Sequence, residues 1–326
     1  MNDESMLVLP VDRDEQLATR AAWLYFVAGL TQAQIGKKLG INRIRVNRLL
    51  AQAREQGMVQ IRITGRLADC IELENRIKDR FKIDQAIIVP TPPDPALIRH
   101  VIGAAAGSAL AERLKDGMSV GVGWGRTLRL SLRSVPRRPL RRVSVVSLMG
   151  GLTRGAAVNP HETASHLADL IDAQCYYVAA PALADSEATR DLLAQQPMIK
   201  DVYERLRKVD LVLVSAGGLA DDSTIHHVDL ISAADAKSLK EAGAVGDLCA
   251  HWLDVHGRLV DHPLNKRAVG LSPLELKSVP CVIVASGGID KIEVLHGALE
   301  GGMVDILITD EVTASGILAT SDRVTP

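Results

Sequence analysis

At 326 residues, 47% of them apolar and 24% charged, the chain is long enough for a large core and two domains, and its composition excludes an intrinsically disordered protein. Its formal net charge is −1, so the chain as a whole is neither polybasic nor polyacidic. Four cysteines (Cys70, Cys175, Cys249 and Cys281) lie far apart without a C-x-x-C pair, which excludes a disulfide scaffold or a zinc ribbon and suits a reducing compartment.

The first residues, "MNDES", are acidic and lack the basic n-region and apolar core of a signal peptide. No apolar run reaches the roughly 20 residues of a membrane span, so a cytoplasmic location is expected. The stretch "LTQAQIGKKLGINRIRVNRLL" (30–50) then reads as two short helices around a glycine. Thr31 with Gln34 forms a T-x-x-Q capping box, which starts a helix at Gln32. Ile35 and Leu39 share one face of that helix, with Gly36 beside them. Gly40 ends it, because the turn needs a left-handed backbone. Asn42 can cap a second helix whose inward positions are Val46, Leu49 and Leu50. A tiny residue at 36 suits a close crossing of the two helices, and the pattern describes a helix-turn-helix.

The outward face of the second helix carries Asn42, Arg43, Ile44, Asn47 and Arg48, with Arg45 toward one flank. Arg pairs bidentately with guanine, Asn with adenine, and an apolar tip meets a thymine methyl. Thr31, Gln32, Lys37 and Lys38 on the first helix complete the candidate DNA-binding set, the lysines being placed for phosphate. Residues 31–66 hold eight Lys/Arg and one acid, Glu55, a local charge of +7 that leaves −8 for the remainder. Such asymmetry is what DNA binding by one end predicts. The alternative is a helical hairpin with merely solvated charges. After Gly57, "MVQIRIT" (58–64) alternates like a short strand and is read as a wing.

A helix is predicted over 67–81, with Leu73, Ile77 and Phe81 at helical spacing. Beyond it short β-branched runs alternate with amphipathic helices: "AIIV" (86–89), "SVGVG" (119–123), "VSVVSL" (143–148), "CYYVA" (175–179), "LVLVSA" (211–216), "VIVAS" (282–286) and "DILIT" (305–309). Strands buried on both faces and separated by helices predict an α/β domain with a largely parallel sheet, whose ligands bind beyond the strands' C-terminal ends. Three glycine loops fall there. In "GVGWGRTL" (121–128), Gly121, Gly123 and Gly125 let backbone N–H groups converge, with Arg126 and Thr127 as added donors. "LMGGLTRG" (148–155) and "SGGIDK" (286–291), where Lys291 enters a helix, repeat the pattern. Any one such loop is equally a structural turn; three together favour a small-molecule pocket.

Other constellations read as inert. His161, Glu162 and His166 miss the H-E-x-x-H spacing and suggest a capped helix with surface histidines. His251 and His256 fall on opposite faces of a strand-like run, and His226–His227 read as loop. No G-x-S-x-G nucleophile elbow occurs. "RSVPRRPLRR" (133–142) reads as a solvated connection near an acidic partner surface. No metal site, cofactor or catalytic residue is expected.

The helix-turn-helix, "GVGWGRTL" and the closing "VASGGIDKIEVLHGALEGGMVDILITDEVTAS" together resemble the SorC family of sugar-responsive bacterial transcriptional regulators, over residues 16–320. The "AAWLYFVAGLTQ" helix is similar to the polyol-type regulators within it. The resemblance implies a Rossmann-like effector domain related in fold to sugar-phosphate isomerases, assembled as a dimer or tetramer. It places Gly123, Gly125, Arg126 and Thr127, then Gly150 and Gly151, then Lys291 around the effector, with Asp247 in "VGDLCAHWLDVHG" meeting sugar hydroxyls. Trp124 and Arg126 stand where some members have a hydroxyl-rich phosphate loop, which leaves room for an unphosphorylated polyol. The expected organisation is a winged helix-turn-helix over 1–66 and an effector and oligomerisation domain over 67–326. The expected function is that of a repressor or other regulator of a carbohydrate or polyol operon, a non-enzyme whose partners are double-stranded operator DNA, a carbohydrate effector and copies of itself. The alternative is a sugar-phosphate isomerase with an accessory DNA-binding end, for which Asp247 or Glu311 is the nominee for general base.

Overall fold

The computed structural model describes residues 13–59, 67–153, 158–220 and 223–324. The chain divides into two compact units, Met1–Ile63 and Thr64–Pro326.

In the small unit, helices α1 (Arg13–Phe26), α2 (Gln32–Leu39) and α3 (Arg43–Glu55) close around Ala18, Ala21, Ile35, Val46, Leu49 and Leu50. The Thr31 capping box is formed in both directions, Gly40 adopts the left-handed conformation at φ 68°, and the Asn42 side chain accepts from the Arg45 N–H. Gly36 has to be small for a reason other than the expected helix crossing. A Cβ there would lie 2.7 Å from the Ile41 carbonyl oxygen, so the turn itself folds back onto α2. Of the expected wing, Met58 and Val59 pack against this core; residues 60–66 lie outside the described residues.

The large unit is built on a seven-stranded sheet, and all seven predicted strands belong to it. They are β1 (Gln85–Val89), β2 (Ser119–Val122), β3 (Ser144–Ser147), β4 (Gln174–Tyr176), β5 (Leu211–Val214), β9 (Val282–Ala285) and β10 (Ile306–Asp310). Every pairing is parallel, in the order β1-β10-β9-β5-β2-β3-β4. Because side chains alternate along a strand, Leu211 and Leu213 enter one core while Val212 and Val214 enter the other. Helices cover both faces, so the central strands β5, β9 and β10 are buried throughout, whereas the edge strands β1 and β4 are only partly so. The chain runs from β2 out to β3 and β4, then returns to β5 on the other side of β2. The crevice above β2 and β5 is therefore a topological switch point.

A second sheet was not predicted: β6 (Ala216–Gly218), β7 (Gly246–Leu248) and β8 (His251–Leu253) form an antiparallel meander. Between β7 and β8, Cys249 and Ala250 both have positive φ, 55° and 57°, without being glycine. The histidines also depart from expectation. His161 is half-buried, with its ring against Tyr177 and its Nε2 3.1 Å from the Val178 carbonyl, so only His166 is a surface residue. His226–His227 belong to a short helix, Thr224–His227. His251 lies in β8, where burial lowers its pKa to about 4 and keeps it neutral, while His256 lies beyond the strand against Glu300.

Candidate functional site

On the small unit the exposed face of α3 carries Arg43, Ile44, Asn47 and Arg48, and Ile44 is 75% exposed. Gln32 ties α2 to this face: its amide donates to Asn47 Oδ1 at 3.2 Å and accepts from Arg43 Nε at 3.3 Å. The three side chains form one polar surface across both helices. Lys37 and Lys38 are exposed on α2. Three more of the ten expected contacts are engaged within the domain. Arg45 pairs with Asp14 at 3.0 Å, and the side chains of Asn42 and Thr31 serve as helix caps.

On the large unit a cavity of about 580 Å³ opens over the C-terminal ends of β1, β10, β9, β5 and β2, five neighbours in the sheet. Of the nine residues expected at the effector, Trp124, Gly125, Arg126, Thr127, Asp247 and Lys291 line it. Gly123, Gly150 and Gly151 do not. Gly123 packs on Val214, Gly150 on the Pro181 carbonyl, and Gly151 on the His161 ring, so these glycines serve close backbone packing. Glu311 is also absent from the lining.

The two aspartates buried at the cavity differ in how they are satisfied. Asp310, at the end of β10, accepts from the hydroxyls of Thr91 (2.6 Å) and Thr313 and from the Thr313 N–H. Thr91 in turn accepts from the Val312 N–H, and Thr313 from the Gly288 N–H. That cluster clamps the segment after β1 to the loop after β9. Asp247, in β7, is 1% exposed and its Oδ2 accepts one bond, from the Ala250 N–H at 3.1 Å. Its Oδ1 has no hydrogen-bond partner among the described residues. Burial pushes its carboxyl up to about 6, against the opposing pull of the Ala250 N–H and the Lys291 ammonium. Asp247 fits here because its register partner is Gly217, where a Cβ would come within 2.0 Å of Oδ1. Lys291 is ion-paired with Asp290 at the cavity wall.

The lining thus holds three cations (Arg99, Arg126 and Lys291) and three carboxylates (Asp247, Asp290 and Asp310), with Trp124 as an aromatic wall. Thr91, Asp290, Asp310, Thr313 and Gly217 were missed from the sequence. The acid that ends the apolar "DILITD" run and the threonine three residues beyond it are the local signal that would have found Asp310 and Thr313. No group of three metal-ligating side chains occurs among the described residues. Among them, too, no helix is long and apolar enough to cross a membrane.

Residues 65–319 match the Sugar-bind model, a sugar-binding domain, and residues 23–56 match region 4 of sigma-70. The erythritol catabolism regulatory protein EryD of Brucella abortus (strain 2308) is 30% identical over 309 residues, which cover 94% of this chain and 98% of that protein. The crystal structure of the full-length sorbitol operon regulator SorC from Klebsiella pneumoniae superposes with a TM-score of 0.71 at 26% identity, covering 94% of this chain and all of that one. The chain belongs to the SorC family of sugar-binding transcriptional regulators. The deoxyribonucleoside regulator of Bacillus subtilis (strain 168) is a further relative, 29% identical over 94% of this chain and 99% of its own length. The regulator joins a DNA-binding helix-turn-helix to an α/β sugar-binding domain. This favours regulation over the isomerase alternative.

Proposed function

We propose that the cavity binds a hydroxyl-rich sugar, sugar phosphate or polyol and that its occupancy controls operator binding by a homo-oligomer of this chain in the cytoplasm. The observation that carries this reading is the Asp247 carboxylate, buried at the cavity with one oxygen that no described residue partners. A buried acceptor of that kind is costly to leave unsatisfied and is matched by a ligand hydroxyl. Thr127, Arg126 and Lys291 supply donors around it, and Trp124 offers an apolar face to the carbon skeleton. The equal count of cations and carboxylates suits a ligand whose recognition rests on hydroxyls. Ligand binding shifts the operator-competent population through its differential affinity for the two states. Arg43, Asn47 and Arg48 read bases, while Lys37 and Lys38 hold phosphate. One helix-turn-helix spans a short half-site, which supports an assembly of at least two copies. The protein acts as a sensor without turnover, a reading supported by its kinship with regulators of catabolic operons.

The test is a panel of free polyols and of sugar phosphates, ribose 5-phosphate included, added to the protein bound to DNA from upstream of its own gene. An active ligand changes the binding isotherm and is recovered chemically unchanged. Thr127→Val and Lys291→Ala abolish the response and preserve ligand-free DNA binding. Normal responses in both variants, or conversion of the ligand, would overturn the reading.

A further inference from the structure

The segment 133–142, "RSVPRRPLRR", lies where the chain enters β3, at the end of the sheet opposite the cavity. It is a built feature of the surface. The Arg138 guanidinium donates to the Ala111 and Leu114 carbonyls at the end of helix Ile98–Arg113, satisfying groups that a helix terminus leaves open. The backbone N–H groups of Arg138 and Leu140 donate to Leu170 and Ile171, and that of Arg141 to the Asp116 carboxylate. Val135 and Val143 are buried and Leu140 packs beneath them, so the apolar residues face inward. The outward face is left to Arg133, Arg137, Arg141 and Arg142. All four are exposed, and none of their guanidinium groups has a carboxylate partner among the described residues.

We infer that these four arginines are a second, sequence-independent contact to the DNA backbone, made by the sugar-binding domain itself. Two features favour duplex phosphate over an acidic protein. A stable protein interface needs an apolar centre, and here the outward face offers only guanidinium groups and two prolines. Guanidinium also pairs bidentately with phosphate and stays charged at any physiological pH. The prolines restrict the segment before it binds, which lowers the ordering cost. The inference rests on DNA binding by the helix-turn-helix, which brings duplex to the same molecule at high effective concentration. Lying away from the cavity, the contact leaves effector entry free.

The experiment compares full-length wild type with Arg133→Gln/Arg137→Gln/Arg141→Gln/Arg142→Gln and with Arg137→Gln/Arg141→Gln. The probe is a random-sequence 60-bp duplex titrated at several salt concentrations, with molecular mass measured in parallel. Each neutralised phosphate contributes about 0.9 to the slope of log K against log salt. The quadruple variant is expected to lose about two to four from that slope and the double variant about half as much, with melting temperature and mass unchanged. A slope equal to wild type overturns the inference while leaving the helix-turn-helix reading intact. A loss accompanied by a fall in mass assigns the arginines to a protein interface and also overturns it. A wild-type chain that binds no duplex at all overturns the underlying DNA-binding reading as well.

Discussion

Replacing Asp247 by Asn should stabilise the ligand-free protein while impairing its function. The carboxyl is buried, and its pKa of about 6 lies above the ordinary 3.8. A folded-state value raised above the unfolded one means that the proton favours the folded chain. The associated stability is complete below pH 3.8 and is lost as pH rises through 6. At pH 7.5 the ionised carboxylate therefore costs about 3 kcal/mol, from a difference of roughly two pKa units at 1.36 kcal/mol each. Asn removes the charge yet keeps the oxygen that accepts from the Ala250 N–H. For a domain of this size, a gain of that order raises the melting temperature by about 6 °C or more. Thermal unfolding followed from pH 4.5 to pH 8 provides the assay, with the two proteins converging at the acidic end as the wild-type carboxyl takes up its proton. The same variant should bind an active polyol or sugar about 10- to 100-fold more weakly, because a charge-assisted acceptor has become a neutral one. An Asn variant that melts at or below wild type at pH 7.5, or a gap that does not change with pH, would refute the burial argument.

Two further outcomes are expected. Ala at Arg43, Asn47 or Arg48 should cost about 1–3 kcal/mol on the operator and little on random DNA, whereas Lys37→Ala or Lys38→Ala should weaken both alike; equal losses on both DNAs for the α3 residues would remove their role in reading bases. Trp124, 5% exposed and on the cavity wall, should report effector binding by a saturable change in intrinsic fluorescence, most of which disappears in Trp124→Phe and persists in Trp23→Phe, since Trp23 lies in α1 of the other unit. An undiminished change in Trp124→Phe would place that indole outside the responding site.

What could be read from the sequence follows the range of the interactions involved. The helix-turn-helix was legible because its cap, its left-handed glycine and its inward residues all act within about 20 residues. The seven strands of the parallel sheet were legible because burial on both faces demands unbroken β-branched runs. The meander was legible only at "HWL", read as part of a strand-like run, since "AGG" and "GDL" carry no periodicity and are strands only because each neighbour pairs with them. Asp310 and Thr91 meet across 219 residues of chain, a juxtaposition that no local pattern announces. Gly150 and Gly151 show the converse. A glycine pair after a strand reads as a ligand loop, yet here it admits Pro181 and His161. Arg45 likewise looked like one more basic side chain of α3 until α1 brought Asp14 to it.

The turn between β7 and β8 sets Cys249 and Ala250 in left-handed conformations that cost non-glycine residues about 1 kcal/mol or more each. It does so while pointing the Ala250 N–H at the carboxylate of Asp247. Glycine at either position would relax the turn, and Asn at 247 would relax the charge, so these routes to a hardier ligand-free protein pass through the hairpin proposed to sense the effector. On the proposed function, selection for thermostability that drew on this hairpin without effector present is expected to yield regulators that survive heating and still hold DNA, yet have become deaf to their signal.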